Sequence, residues 1–365
     1  MAVKCGIVGM PNVGKSTLFN CLSKAKAQSA NFPFCTIEPN VGVITVPDVR
    51  LEKLSELVNP EKVQATTIEI VDIAGLVKGA SKGEGLGNKF LANIRETNAI
   101  IHVLRCFDDD NIAHVDGSVN PVRDKETIDF ELQIKDLEVV EKKRDKYQKI
   151  AKSGDKEAIK IVGILDKYII HLQKGESVRS LEMTDTEKEV IADLYLLTDK
   201  PVLYVCNVDE VSAKDGNKYV EQVREAIKTE DAEILLIATS IEAEIAELED
   251  LEEQNLFLDE MGLEKPGVHY LIQATYRLLN LQTYFTAGEK EVRAWTITKG
   301  MKAPQAAGVI HSDFEKGFIR AEVIAYKNFV ALGSEQACKD SGKLSVEGKQ
   351  YVVQDGDVMH FRFNV

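Results

Sequence analysis

Eight residues near the amino terminus, Gly9-Met10-Pro11-Asn12-Val13-Gly14-Lys15-Ser16, constrain this chain more than any other stretch. They fit G-x-x-x-x-G-K-[ST]. An apolar run at 3–8 precedes them and a helical pattern from Lys15 to Leu22 follows. Glycines let a backbone wrap closely enough for successive N–H groups to face phosphate oxygens. The helix that follows presents the positive end of its dipole to the same anion. Lys15 then supplies a point charge at the β- and γ-phosphates, and the Ser16 hydroxyl is placed to ligate Mg²⁺. Strand, loop and helix in that order predict a nucleotide-phosphate site.

Further strands follow at Val41–Val46, Thr67–Val71, Ala99–Leu104, Pro201–Cys206 and Ile234–Ile237, with helical stretches between them. That alternation predicts an α/β fold with a mostly parallel sheet covered on both faces. Between about 128 and 198 the strands stop. Phe130, Ile134, Leu137, Val140, Tyr147 and Ala151 recur at helical spacing, and so do Ile161, Leu165, Tyr168 and Leu172 beyond Ser153-Gly154-Asp155. This predicts an inserted α-helical hairpin, followed by a capping box at Thr184-x-x-Glu187. From 278 onward Val292–Thr298, Ile319–Ile324, Lys349–Val353 and Val358–Phe363 read as short strands of a small, mostly β module. Two domains are expected, 1–277 and 278–365.

The net charge is −14, which argues against a protein that coats nucleic acid by bulk electrostatics. From residue 280 on, however, 11 basic residues face 10 acidic ones. A second basic feature is the run Lys142, Lys143, Arg144, Lys146, Lys149 and Lys152 on the hairpin. Its plain reading is a solvated helix face; the alternative is a ribosome or RNA contact. The six cysteines are scattered with no C-x-x-C pair, which reads as reduced thiols. No apolar run is long enough to span a membrane and no secretory leader opens the chain, so a cytoplasmic protein is expected.

Other chemistry-bearing loops lie at strand ends. Asp72-Ile73-Ala74-Gly75 matches D-x-x-G one strand beyond the phosphate loop. There Asp72 is expected to hold the metal through water, and the Gly75 amide to reach a γ-phosphate. Thr36, within 31–40, is the candidate to close on Mg²⁺. Asn207-Val208-Asp209-Glu210 occupies the place of a base-reading N-K-x-D, and Ala238-Thr239-Ser240 that of a second base loop. The position after D-x-x-G, where a Gln orients the attacking water in Ras-like enzymes, is Leu76. Slow hydrolysis is therefore expected unless another group positions the water. His114, on an acidic loop at 108–117 expected to be mobile, is the candidate. Asn12 is a second, as an oxygen ligand for a K⁺ against the phosphates. His102, inside an apolar run, reads as a core residue.

Together these residues resemble the Obg-like ATPase or YchF family of P-loop NTPases. The marker is Asp72–Glu96, DIAGLVKGASKGEGLGNKFLANIRE, with NFPFCTIEPNVG at 31–42 and the N-x-x-E at 207–210. The similarity runs along the whole chain. It implies a P-loop NTPase G domain, a coiled-coil hairpin and a C-terminal TGS-like β-grasp domain. It also implies slow ATP hydrolysis and association with ribosomes. Asn12, Val13, Gly14, Lys15, Ser16 and Thr17 would carry the phosphates, Ser16 and Thr36 the Mg²⁺, and Asn207, Val208 and Glu210 the base. ATP, or GTP, is the expected substrate. The large subunit, the whole ribosome or RNA is the expected partner, and a monomer the expected state.

Overall fold

The computed structural model describes residues 3–29, 40–73, 86–248 and 250–364. Two compact units divide the chain: residues 1–44 with 69–271, and 45–68 with 272–365. The boundary read at 277/278 therefore does not describe the packing. Segment 45–68, read as part of the first domain, belongs to the second unit.

In the first unit the strands are β1 (Lys4–Val8), β2 (Val41–Thr45), β4 (Thr67–Asp72), β5 (Ala99–Arg105), β6 (Val202–Asn207) and β7 (Ile234–Ile237), with β3 (Lys62–Gln64) lying in the other sheet. They are ordered β2-β4-β1-β5-β6-β7. β1 lies parallel between β4 and β5, β5 parallel to β6, and β6 parallel to β7. β5 and β6 are buried at every position, as expected for central strands with both faces covered. Helix α1 (Lys15–Ser29) leaves the loop after β1. The carboxyl ends of β1, β4, β5 and β6 thus share one edge of the sheet, where open parallel sheets bind ligands.

Between β5 and β6 the chain makes the expected αα-hairpin from α4 (Pro121–Ala151) and α5 (Lys156–Gln173). It starts earlier than the apolar periodicity indicates. Asn120 caps α4 by accepting from the Arg123 N–H at 3.0 Å, and Pro121 takes the first helical position, where a missing N–H costs nothing. Gly154 turns the chain at φ +87°, and Asp155 caps α5 at Ala158 N, 2.8 Å. Val140, Ile164, Leu165, Tyr168 and Leu172 form the hairpin's own core. Phe130, read into that seam, is 59% exposed. The buried stripe runs instead through Ile128, Leu132, Asp136 and Val140, one residue per turn. Asp136 is wholly buried and accepts from the N–H groups of Leu197 and Thr198 and from the Thr198 hydroxyl, at 2.6–2.8 Å. These bonds stitch α4 to the chain entering β6. The capping box opens α6 (Asp185–Glu189) as read.

In the second unit, β8 (Leu281–Ala287) and β9 (Glu291–Thr298) form an antiparallel hairpin. Helix α11 (Ala303–Ile310) covers it, and β10 (Phe318–Ala325), β11 (Ser345–Glu347) and β12 (Asp357–Phe363) follow. The order is β11-β10-β12-β8-β9-β3, with β12 parallel to β8. A last strand placed parallel beside the first, with a helix crossing one face, is the expected β-grasp arrangement. Tyr284, Ile297, Ala321 and Phe361 pack beneath Ala303, Ala306 and Ala307 of α11. The opposite face buries Phe285, Val292, Ile324 and Val358 against Leu51 and Leu54 of α2 (Val49–Val58). That is why 45–68 belongs here: α2 covers this face, and β3 extends the sheet by pairing parallel with β9. Lys349–Val353, expected as a strand, makes only one isolated bridge, Val352 to Lys302. A turn closed by Tyr351 N to Gly348 O, 3.1 Å, breaks it.

His102 is a core residue as expected, 2% exposed in the middle of β5. Its Nε2 has no partner among the described residues, and burial pushes its imidazole down to about 4. The folded state therefore binds this proton more weakly than the unfolded chain, whose histidine titrates near 6.5. The stability this confers is complete above pH 6.5 and is lost as pH falls from 6.5 through 4, about 3 kcal/mol in all. Thermal unfolding across that range should fall less steeply for His102→Leu than for the natural chain. Parallel curves would exclude His102 as an acid-sensitive group.

Candidate functional site

The loop at the end of β1 is shaped by contacts that tolerate no side chain at two positions. A Cβ on Gly9 would lie 2.5 Å from the Val103 carbonyl oxygen of β5. Gly14 sits at φ +98°, and a Cβ there would lie 2.3 Å from Asn207 Nδ2. Asn12 also takes positive φ, +59°, a conformation asparagine accepts more readily than most residues. Val13 is buried, while Ser16 and Thr17 are exposed. The loop thus turns its backbone toward the open edge of the sheet and its apolar side chain inward.

Lys15 is only 7% exposed, and its Nζ donates to the Met10 carbonyl across the loop at 2.5 Å. Burial pushes its ammonium down to about 8, against the opposing pull of the Asp72 carboxylate. A cation held in so dry a place gains more from an anionic ligand than one in water. Ser16 Oγ donates to Asp72 Oδ2 at 3.3 Å, so the residue opening α1 meets the residue closing β4. Asp72 Oδ1 is buried with no partner among the described residues. A hydroxyl beside an unsatisfied carboxylate oxygen is a hard-oxygen donor set, and these residues fit Mg²⁺ with its retained waters. Thr36 and Gly75 lie outside the described residues.

Asn207, at the end of β6, is 1% exposed and joins three loops. Its Nδ2 donates to the Val13 carbonyl at 2.9 Å, and its Oδ1 accepts from Thr239 N at 3.1 Å. Its first role is thus to brace the phosphate loop against the loop opening α8 (Thr239–Ile245). One hydrogen of Nδ2 is left over for a base. Val208 is 2% exposed, its N–H donated to Ile237 O, so its side chain belongs to the core. Asp209 and Glu210 are exposed, and Asp209 Oδ1 accepts from Ser212 N at 2.9 Å in a local turn.

The loop carrying His114 is built differently from expectation. Arg105, 1% exposed at the end of β5, donates to the carbonyls of Phe107, Asp109 and Ile112 at 3.2, 3.0 and 2.8 Å. A buried guanidinium with three fixed acceptors holds the loop around itself. His114 is fixed too: its Nε2 lies 2.9 Å from Asp124 Oδ2, and its Nδ1 accepts from Asp116 N at 3.2 Å. The expectation of a mobile loop is corrected by these bonds, although most of its residues are exposed. Asn12 Nδ2 donates to Ala113 O at 3.2 Å, linking the phosphate loop to the residue next to His114. Sequence reasoning missed Arg105 and Asp124. Neither stands in a motif, and only the fold brings them to residues 107–114.

Comparisons with known proteins bear on the family and the fold. Residues 4–150 match the family of 50S ribosome-binding GTPases, and residues 281–364 match the YchF-GTPase C-terminal family, described as a protein of unknown function. The chain is 56% identical to the ribosome-binding ATPase YchF of Bacillus subtilis and 58% identical to that of Haemophilus ducreyi, over all of both chains in each case. The chain belongs to the YchF family. A solved relative, the Schizosaccharomyces pombe YchF GTPase, is 39% identical, with a TM-score of 0.89 over 99% of this chain and 97% of that one. The fold is that of a P-loop NTPase. Among the described residues no helix is long and apolar enough to cross a membrane.

Proposed function

We propose that this chain is a slow, Mg²⁺-dependent ATPase of the cytoplasm, monomeric, whose nucleotide state controls its association with the ribosome. The observation that carries the reading is the base loop. A guanine-specific site needs an Asp whose two oxygens accept from guanine N1–H and the 2-amino group. Here Glu210 stands in that slot, one methylene longer and exposed, while Asp209 already accepts from Ser212 N. Asn207 can donate to N7, which both purines present. The clamp that rejects adenine is therefore missing, and adenine's 6-amino group can donate to an oxygen near Asn207.

Bound Mg²⁺ supplies charge neutralisation at the β- and γ-phosphates. Ser16, Asp72 and, by the family resemblance, Thr36 would hold it. Lys15 adds a desolvated positive charge, and the loop amides after Gly9 position the phosphates. Leu76 cannot orient water, so the reading gives that task to His114, with a K⁺ at Asn12 as a further source of charge. Relatives from Bacillus subtilis and Haemophilus ducreyi are named ribosome-binding ATPases, whereas the solved relative is titled a GTPase. A GTPase of the same fold is accordingly the second reading.

For the ribosome, the hairpin offers a basic face. Lys143 and Arg144 are occupied within it, by Asp193 and by Asp166, while Lys142, Lys146, Lys149 and Lys152 are exposed. Phosphate contacts through these four lysines make binding salt-sensitive. Co-sedimentation with ribosomes should depend on ATP versus ADP, weaken as salt rises, and fall at least severalfold when the four lysines are replaced by glutamate. Sedimentation indifferent to nucleotide would remove the switch from the account. Sedimentation unchanged by the glutamates would move the contact off the hairpin.

A further inference from the structure

We infer that Asp124 is the positioning residue for His114 in nucleotide hydrolysis; this rests on the reading that His114 orients the attacking water. Asp124 lies in the first turn of α4, and its side chain and that of His114 are 1% and 4% exposed. The His114 Nε2 to Asp124 Oδ2 separation is 2.9 Å. An ionised carboxylate facing Nε2 keeps the ring proton on that nitrogen and leaves the lone pair on Nδ1. Among the described residues Nδ1 meets the Asp116 N–H at 3.2 Å and the Arg123 guanidinium at 3.5 Å; the second is a long contact, and a water taking the lone pair would displace the first. The ring is thus held from behind by a buried acceptor, with its basic nitrogen on the looser side. This is the arrangement by which a third group orients a base.

Two further observations tie the pair to the phosphate site. Arg105 fixes the backbone of 107–112 from inside, so His114 follows a braced loop while Asp124 stands on α4. Asn12 of the phosphate loop bonds to Ala113 O, one residue from the ring. In the step itself, the water oxygen bonds to the γ-phosphorus as the bond from that phosphorus to the bridging oxygen breaks and ADP leaves. One water proton passes to Nδ1 and then to the released phosphate. Asp124 stays ionised throughout and stabilises the transient imidazolium. The ligand atoms of His114, Asp116 and Asp124 are close enough together to hold a metal ion, but Arg123 already pairs with both carboxylates at 3.5 Å and supplies the positive charge.

The test uses the full-length protein with Mg²⁺ and ATP. Single-turnover hydrolysis, ATP affinity and the pH profile of the rate are measured for the natural chain, His114→Ala, Asp124→Asn and Asp124→Glu. The charged or titratable groups facing the ring or its partner are Asp116 from the loop, Arg123 and Asp124 from α4, and the Cys106 thiol beside Asp124. Asp124→Asn should slow hydrolysis at least tenfold with ATP affinity kept within about twofold. Asp124→Glu should recover part of the rate. A loss in His114→Ala with none in Asp124→Asn would overturn the proposal alone. No loss in His114→Ala would overturn the reading of His114 beneath it. A faster Asp124→Asn would mean that the pair holds His114 away from the water, which also overturns the proposal. Should Asp124→Asn fail to fold, the ¹⁵N shifts of the His114 ring in the natural chain decide: the Nε2–H tautomer is expected, and the Nδ1–H tautomer contradicts it.

Discussion

Replacing Gly14 by alanine should abolish nucleotide binding at micromolar concentrations while leaving most of the fold intact. The residue sits at φ +98°, where an L side chain costs about 1–2 kcal/mol even before any clash. The added Cβ would lie 2.3 Å from Asn207 Nδ2, whose partners are Val13 O and, through the same amide group, Thr239 N. Asn207 cannot yield without breaking bonds to buried backbone groups, each worth roughly 1–3 kcal/mol when left unmade. The loop is therefore the part that moves, and with it the amides that meet the phosphates. A loss of at least ~100-fold in affinity corresponds to about 3 kcal/mol. Titration calorimetry measures it, with circular dichroism to establish that the protein is folded. Affinity within threefold of the natural chain would mean that the loop does not hold the phosphates as described.

The second large effect falls on hydrolysis. Lys15→Ala removes the only side-chain positive charge that the described phosphate loop contributes. The ammonium is 7% exposed and rests on Met10 O, so it is pre-placed in a site of low dielectric. Charge held ready where it develops in the transition state carries much of the rate, and removing one such donor costs roughly 10²–10³ in turnover. Steady-state phosphate release should fall by about that factor, whichever purine is bound. The fold should survive, because deletion of a buried, strained-down cation removes a desolvation cost along with its one hydrogen bond. Turnover reduced less than fivefold would contradict the assignment of Lys15.

Much of this site could be read from local sequence, and the reason is physical. Gly9, Gly14, Lys15, Ser16 and Asp72 act within or beside one strand–loop–helix unit, where spacing along the chain fixes spacing in space. β6 and β7 are apolar runs and β5 is one interrupted only by His102, and the structure carries β5 and β6 one residue further, to Arg105 and Asn207. What was illegible depends on contacts between distant residues. Lys62-Val63-Gln64 is too short for its alternation to mark it as a strand; it becomes one because Glu291, Val292 and Arg293 lie beside it. Likewise Leu51 and Leu54 look like any amphipathic helix, and only Phe285, Val292 and Val358 decide which core they enter. His114 was legible as a candidate and illegible as a fixed group. Its environment is made by Arg105, nine residues earlier, and Asp124, ten residues later, with no motif joining them. Asn207 was read as a base contact, yet its burial and its two backbone partners make it first a brace for the loop. Thr36 and Gly75 rest on the sequence alone, since both lie outside the described residues.

The central claim, that the missing guanine clamp makes this an adenine-nucleotide enzyme, is tested most directly by titrating ATP and GTP side by side in Mg²⁺. A charged hydrogen bond contributes roughly 1.5–3 kcal/mol, so the presence or absence of one clamp changes preference by tens-fold. ATP should bind at least tenfold more tightly than GTP, and Glu210→Asp should narrow that gap toward GTP. GTP binding tenfold more tightly than ATP in the natural chain would contradict the account.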